Sequence, residues 1–87
     1  MALTRKQLDA LRETKPGPSG NRLANAIEIL DIPMARVADG TGLRYTYVSD
    51  VTQGRWQTIT VENAHKFAVF FGCHIEDLFP SREAVAS

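Results

Sequence analysis

The residue types that most often carry chemistry are few and widely spaced in this chain. The single Cys73 is followed directly by His74, and His65 lies eight positions before Cys73. This spacing does not match the ligands of a zinc site, so we expect His74 to start a helix rather than bind a metal. Gly40-x-Gly42 lacks the third glycine and the preceding strand of a dinucleotide-binding loop. No carboxylate pair, Cys/His pair or Ser/His set has a catalytic arrangement, so we expect neither an enzyme nor a cofactor.

Length and composition are those of one small globular domain. The chain has 87 residues, of which 44% are hydrophobic and 23% are charged, as in ordinary soluble proteins. One cysteine excludes an intramolecular disulfide, which suits a reducing compartment. The chain has no apolar run of membrane-spanning length and no signal-peptide pattern at its start. We therefore expect a cytoplasmic protein with no membrane partner and no small-molecule substrate.

The formal net charge is zero, which by itself argues against a nucleic-acid partner. The distribution is uneven, however. Residues 1–19 carry four basic and two acidic side chains, whereas the last thirty residues carry four acidic and two basic ones. Such asymmetry can leave a basic face on a neutral molecule.

The start of the chain predicts a short helix followed by a linker. Thr4 and Gln7 have the spacing of a capping box, and Leu8 and Leu11 lie on one helical face. The stretch "KPGPSG", residues 15–20, has two prolines and two glycines, which is typical of a turn or linker. We therefore assign residues 1–19 to an N-terminal helical appendage and linker, residues 20–80 to the domain proper, and residues 81–87 to a flexible tail.

Five further helices are expected between residues 20 and 80. In the first, apolar residues recur at the three- and four-residue intervals of one helical face: Leu23, Ala26, Ile27 and Leu30. Ser19 or Asn21 is positioned to cap it. Pro33 ends it and starts the second helix, which is short because Gly40 and Gly42 follow.

Residues 44–53 fit two patterns. The aromatic and β-branched run Tyr45-Thr46-Tyr47 favours a strand. On a helix, however, Val48 and Val51 share one face while the polar residues share another. Gly54 then follows as a helix-ending glycine. The helical interpretation gives the cleaner core, with Val48 and Val51 in it.

The remaining helices are clear from their apolar spacing. One runs from Val61 to Phe71 and ends at Gly72, and a last apolar turn ends at Pro80. No strand is needed. Three phenylalanines fall within five positions and cannot all face the same way: Phe67, Phe70 and Phe71. We expect most of them in the core and one at a subunit interface.

The order of these features resembles a known family. "MARVADGTGLRYTYVSDVTQGR", residues 34–55, is similar to the helix-turn-helix of the Cro and lambdoid-repressor type, the XRE family. The matching positions are Val37-Ala38, Gly42-Leu43, the anchors Val48 and Val51, and Gly54-Arg55. "VENAHKFAVFFGCHIEDLF", residues 61–79, resembles the family's fourth helix and closing turn. The resemblance covers roughly residues 20–80 and implies an all-α, five-helix lambda-repressor-like domain with a short additional N-terminal helix.

Three features depart from the family pattern. Thr52 stands where the family often has an acidic residue, two positions before the glycine that ends the recognition helix. Gly40 replaces a helix-friendly residue, so we expect the second helix to be weaker by about 1 kcal/mol than with alanine. The loop "RWQTIT", residues 55–60, carries Trp56 and lacks the usual proline. Because the family's loop often follows the DNA backbone, the register of that contact is expected to differ.

The resemblance implies that the helix around residues 44–53 lies in the major groove of double-stranded DNA, while the preceding helix crosses the backbone. Arg44 has the geometry to pair with O6 and N7 of guanine, Thr46 to meet a thymine methyl, and Asp50 to accept from cytosine N4 although it also repels phosphate. The implied DNA-binding residues are Arg36, Arg44, Tyr45, Thr46, Tyr47, Ser49, Asp50, Gln53, Arg55 and Trp56.

Several of these residues also have structural interpretations. Tyr47 is as well placed to pack against the second helix as to reach DNA. Trp56 suits a partly buried loop anchor, and Arg55 suits a partner for the C-terminal helix dipole. Val48 and Val51 are assigned to the core alone.

The resemblance implies a sequence-specific transcriptional regulator of phage or bacterial type, with repression expected and with a homodimer on two half-sites about 34 Å apart. The alternative is a helix-turn-helix module that binds a protein, as an antitoxin or adaptor does. Zero net charge and Asp50 favour this alternative.

Overall fold

The computed structural model describes residues 2–17, 20–55 and 59–80, and the backbone of residues 85–86. The chain forms six helices in this order: α1 (Arg5–Glu13), α2 (Leu23–Leu30), α3 (Met34–Thr41), α4 (Tyr45–Thr52), α5 (Val61–Phe71) and α6 (Ile75–Leu78). The expectation of a mostly helical protein is confirmed. None of the helices described is long and apolar enough to cross a membrane.

A pair of two-residue strands departs from the sequence-based expectation. β1 (Ile59–Thr60) pairs in parallel with β2 (Val85–Ala86), and Ile59 lies opposite Val85. The prediction that no strand is present is therefore wrong. The pairing joins the segment before α5 to the end of the chain, so it depends on tertiary proximity and not on a local strand pattern.

The helix ends follow from local chemistry. Thr4 and Gln7 form the expected capping box at α1: Thr4 N–H donates to Gln7 Oε1 at 2.9 Å, and Gln7 N–H donates to Thr4 Oγ1 at 3.1 Å. α3 ends at Gly42, whose φ of 74° is left-handed, and α5 ends at Gly72, whose φ is 68°. These conformations suit glycine because it lacks a Cβ.

One hydrophobic core joins all parts of the described chain. α3 packs on α4 and α5, α1 packs on α2, and α5 packs on α6. The largest fully buried side chains come from all six of these helices: Leu11, Leu23, Val37, Val48, Val51, Phe67, Phe71 and Leu78. The expected core positions of Val48 and Val51 are thereby confirmed.

The N-terminal segment, residues 2–14, is docked on this core. Leu11 is completely buried and Leu3 is 8% exposed, and both belong to the same apolar cluster as Phe71. Leu3 N–H donates to the Phe71 carbonyl at 2.8 Å. The segment that we expected to be an appendage thus supplies apolar surface to the domain.

An ion pair fastens the end of α1 to α6. Arg12 Nε donates to Asp77 Oδ1 at 2.8 Å, and His74 N–H donates to Asp77 Oδ2 at 3.0 Å. Burial, the largest single influence, raises the pKa of Asp77. The hydrogen bonds from Arg12 and His74 and the charge of Arg12 outweigh it, so the pKa of Asp77 lies below its ordinary value.

This lowered pKa predicts a loss of stability in acid. The folded state releases the Asp77 proton at a lower pH than the unfolded chain, for which an aspartate has a pKa of about 3.9. The stabilisation is therefore complete above about pH 4 and is lost as the pH falls through the folded-state pKa. Asp77→Asn should lower the free energy of unfolding at neutral pH and flatten its decline in acid, as measured by denaturant titration. Asp9→Asn, which alters a carboxylate with 65% of its side chain exposed, should change the profile little.

Gly40 makes a tertiary contact that its helix propensity does not describe. A Cβ built on Gly40 would overlap Cε1 and Cδ1 of Phe70. The ring of Phe70 therefore lies directly against the backbone of α3, and it also meets Phe71 edge to face with centroids 5.0 Å apart. The expected weakness of α3 relative to alanine at position 40 stays a prediction, because it considered helix propensity alone and the contact with Phe70 opposes it.

We expect Gly40→Ala to destabilise the protein by about 1–3 kcal/mol, the typical effect of inserting an atom into a packed site. The same substitution in a Phe70→Ala background should instead be neutral or stabilising by up to about 1 kcal/mol, the helix-propensity difference. Urea unfolding of the wild type, the two single variants and the double variant measures the coupling free energy between positions 40 and 70. An identical effect of Gly40→Ala in both backgrounds would contradict the proposed contact.

Candidate nucleic-acid interface

α3 and α4 are joined by a three-residue turn, residues 42–44, and pack against each other. The left-handed Gly42 lets the chain leave α3, and Leu43 packs on the core from within the turn. On α4, Val48 is fully buried and Val51 is 1% exposed. The two valines lie three positions apart, so they fasten one side of α4 to the core and leave the opposite side to solvent.

Two asparagines fix the orientation of α4. Asn21 is 5% exposed; its Nδ2 donates to the Val51 carbonyl at 3.1 Å, and its Oδ1 accepts from Leu23 N–H at 3.0 Å. Asn63 Nδ2 donates to Tyr47 Oη at 3.0 Å. Sequence reasoning missed both positioning roles. Asn21 was considered only as a cap for α2, and nothing local to Asn21 indicates a partner 30 positions away.

The exposed side of α4 carries most of the predicted DNA-binding residues. Arg44, Tyr45 and Thr46 are exposed at its start, and 55% of Tyr45 is accessible. Ser49 and Gln53 continue this side, and Gln53 Nε2 donates to Ser49 Oγ at 3.2 Å. The structure thus brings five of the predicted residues together on one surface.

Other predicted residues have protein partners. Tyr47 is half-buried, packs on the core and accepts a hydrogen bond from Asn63 of α5, whereas its predicted packing against the second helix stays a prediction. Asp50 and Arg55 form an ion pair, with 2.8 Å between Asp50 Oδ1 and Arg55 Nη1. Trp56 lies outside the described residues.

The N-termini of α3 and α4 are open. Neither has a side-chain cap or an acidic residue in its first turn. By contrast, Thr4 caps α1 and Thr60 caps α5. Arg36 lies exposed in the first turn of α3. The absence of a side-chain cap and the positive end of a helix dipole favour anions at both N-termini, although Arg36 N–H donates to the Pro33 carbonyl at 3.0 Å.

Cys73 and His74 lie between α5 and α6. No group of three or more metal-ligating side chains occurs among these residues. His74 starts α6, as expected. Burial raises the pKa of the Cys73 thiol to about 11, so this thiol is protonated and weakly nucleophilic at neutral pH.

The three phenylalanines of α5 differ in burial. Phe67 and Phe71 are fully buried, whereas Phe70 is half-buried over Gly40. Beside Phe70 on α5, Val69 is 64% exposed. The assignment of one phenylalanine to a subunit interface stays a prediction, and Phe70 is the residue to which it applies.

No protein-family model matches the chain, and no curated protein or solved structure is significantly similar to it.

Proposed function

We propose that the protein is a sequence-specific double-stranded DNA-binding protein, a transcriptional regulator in which α3 and α4 form a helix-turn-helix of the lambda-repressor type. The observation that carries the proposal is the exposed side of α4. It begins with Arg44, Tyr45 and Thr46 in solvent, while Val48 and Val51 hold the opposite side in the core. A helix so anchored presents base-reading side chains without losing its own packing.

In the proposed complex α4 enters the major groove, which is about 12 Å wide and admits one helix. Arg44, at the start of α4, pairs with O6 and N7 of a guanine. Thr46 contacts a thymine methyl, and Tyr45 reaches a phosphate or sugar. Because these residues lie in the first turn of α4, the N-terminal end of the helix points toward the bases.

In the proposed complex the DNA phosphates contact the N-termini of α3 and α4. The uncapped N-termini of α3 and α4 offer N–H groups to phosphate oxygens, and neither has an acidic residue in its first turn to oppose this. Arg36 adds a positive charge at α3. We propose a homodimer that places two copies of α4 about 34 Å apart on successive turns of DNA.

Selection of bound sequences from random duplex DNA, at several stated salt concentrations, tests the proposal. We expect an enriched sequence with guanine among its contacted bases, and a palindrome if the protein binds as a dimer. The matched control is a protein in which Arg44, Thr46 and Ser49 are replaced by alanine, which alters only exposed or half-exposed side chains. Enrichment of the same sequence by this control, or no enrichment by the wild type, would refute the proposal.

Arg55→Ala should weaken binding to all DNA sequences and lower the slope of log K against log salt. Arg55 follows α4, and 67% of its side chain is exposed, so it is placed to contact a phosphate rather than a base. Loss of one phosphate contact lowers that slope by about 0.9. Fluorescence titrations at several salt concentrations measure the slope. An unchanged slope on the selected sequence would remove Arg55 from the phosphate contacts.

A second candidate function is protein binding, as in an antitoxin or adaptor. It is favoured by the exposed Val69 on α5 and by the carboxylate of Asp50 on the side of α4 proposed to face DNA. A protein-binding module would show little or no salt-dependent affinity for duplex DNA, whereas a DNA-binding protein loses affinity steeply with salt. A co-purifying partner together with a flat salt response would favour this alternative.

A further inference from the structure

The ion pair between Asp50 and Arg55 changes what each residue offers to DNA. Asp50 Oδ1 and Arg55 Nη1 lie 2.8 Å apart, with 32% and 67% of the two side chains exposed. An arginine whose charge is partly neutralised by a carboxylate and whose Nη1 donates to it binds a phosphate less strongly. A carboxylate held by an arginine is likewise shielded from the negative charge of DNA. Neither residue can therefore be treated as an independent DNA contact.

The backbone at the end of α4 creates this pair. Gly54 has a left-handed φ of 78°, and Arg55 N–H donates to the Asp50 carbonyl at 2.9 Å. The chain thus turns back over the last turn of α4 and brings Arg55 beside Asp50. The guanidinium meets the carboxylate at the edge of the surface that carries Ser49 and Gln53.

The pair is weak enough to separate when DNA competes for it. An ion pair between solvent-accessible groups changes an equilibrium constant, such as that of unfolding, by about fivefold at most. A phosphate on DNA is a comparable or stronger partner for Arg55, because the contact also releases counterions. Separation nevertheless leaves the Asp50 carboxylate without its cation, close to a polyanion.

We propose that Asp50 is a specificity-determining residue, which holds Arg55 away from phosphates unless the DNA supplies a replacement donor. This inference rests on the proposed DNA-binding function. On an arbitrary sequence, moving Arg55 onto a phosphate leaves Asp50 repelled by the backbone. Where the base facing Asp50 is cytosine, its N4 amino group donates to the carboxylate and Arg55 is released. Moving Arg55 from Asp50 to a phosphate therefore weakens binding to non-specific DNA. At the specific site the cytosine N4 amino group compensates for the lost partner of Asp50.

Asp50→Asn is the direct test because it keeps the size of the side chain and removes its charge. We expect it to raise affinity for a random-sequence duplex by about 3–10-fold, since Arg55 then holds phosphate without leaving a carboxylate exposed. Preference for cytosine at the facing base pair should fall by about fivefold or more, the usual effect of one lost base contact. Affinity is measured on the random-sequence duplex and on the sequence selected by the wild type. Base preference is measured by varying each base pair of the selected sequence in turn.

Asp39→Asn is the matched control, because Asp39 is an exposed aspartate on α3 and its loss changes net charge equally. A cycle with Arg55→Gln isolates the pair: Asp50→Asn should steepen the slope of log K against log salt on the random duplex by about 0.9 when Arg55 is present, because one phosphate contact is gained, and should not do so when Arg55 is absent. Circular dichroism and thermal unfolding establish that each variant is folded.

The possible outcomes distinguish failure of the inference about Asp50 and Arg55 from failure of the proposed DNA-binding function. If the wild type binds no duplex DNA, both are refuted. If the wild type binds DNA selectively but Asp50→Asn behaves as Asp39→Asn does, the pairing inference alone is overturned. The same conclusion follows if Asp50→Asn steepens the salt slope equally in the Arg55→Gln background. A larger effect of Asp50→Asn that requires Arg55 and reduces cytosine preference supports the inference.

Discussion

Replacing Leu11 with alanine is expected to lower the free energy of unfolding by about 2–5 kcal/mol, the effect of deleting a fully buried leucine side chain. Leu11 is 0% exposed and belongs to the central apolar cluster. Small domains have a total stability of only about 5–15 kcal/mol. The variant should therefore unfold at a temperature at least ~8 °C lower than the wild type.

The experiment tests whether the N-terminal segment is part of the domain. Thermal and urea unfolding, followed by circular dichroism, measure the change for the whole protein. Leu8→Ala is the matched control, because Leu8 lies in the same helix but is only half-buried, so its replacement should cost clearly less. If Leu11→Ala unfolded like the wild type, α1 would be a dispensable attachment.

Replacing Arg44 with alanine is expected to reduce affinity for the selected DNA sequence by about 1–3 kcal/mol, the usual contribution of a bidentate arginine–guanine pair. This corresponds to a factor of roughly 5–150 in the dissociation constant. Binding to random DNA should change much less, because only one positive charge is lost. The fold should be unaffected, since Arg44 is exposed and provides no side-chain cap to α4.

Two further variants separate the causes of this loss. Arg44→Lys keeps the charge but cannot make the bidentate pair, so it should lose specificity nearly as fully as alanine does. Arg5→Ala removes an exposed arginine from α1 and should leave specificity unchanged. Retention of full specificity by Arg44→Ala would remove Arg44 from the proposed base-reading surface.

The helices could be predicted because their signals are local. Apolar residues three and four positions apart, with glycine or proline at the boundaries, specify a helix and the side of it that is buried. Val48 and Val51 show this well: their spacing outweighed the strand propensity of Tyr45, Thr46 and Tyr47. Propensity differences of a few tenths of a kcal/mol per residue do not decide a segment whose apolar residues pack in the core.

The candidate site could be predicted only in part. The exposure of Thr46 follows from its position opposite the two valines, and Arg44 and Tyr45 are exposed where α4 begins. The partners of Tyr47 and Asp50 did not follow from the helical pattern. Tyr47 bonds to a residue on α5, and the pairing of Asp50 depends on how the chain turns after Gly54.

The sequence by itself determined the order of the helices, their ends at Gly42 and Gly72, and the buried anchors of α4. Tertiary structure alone decided that Arg12 would neutralise Asp77, 65 positions away, and that Phe70 would lie on Gly40. The physical reason is the range of the interactions. Helix periodicity and capping act within a few residues, whereas an ion pair or a ring-to-backbone contact between distant segments exists only once the helices have packed at particular angles and distances.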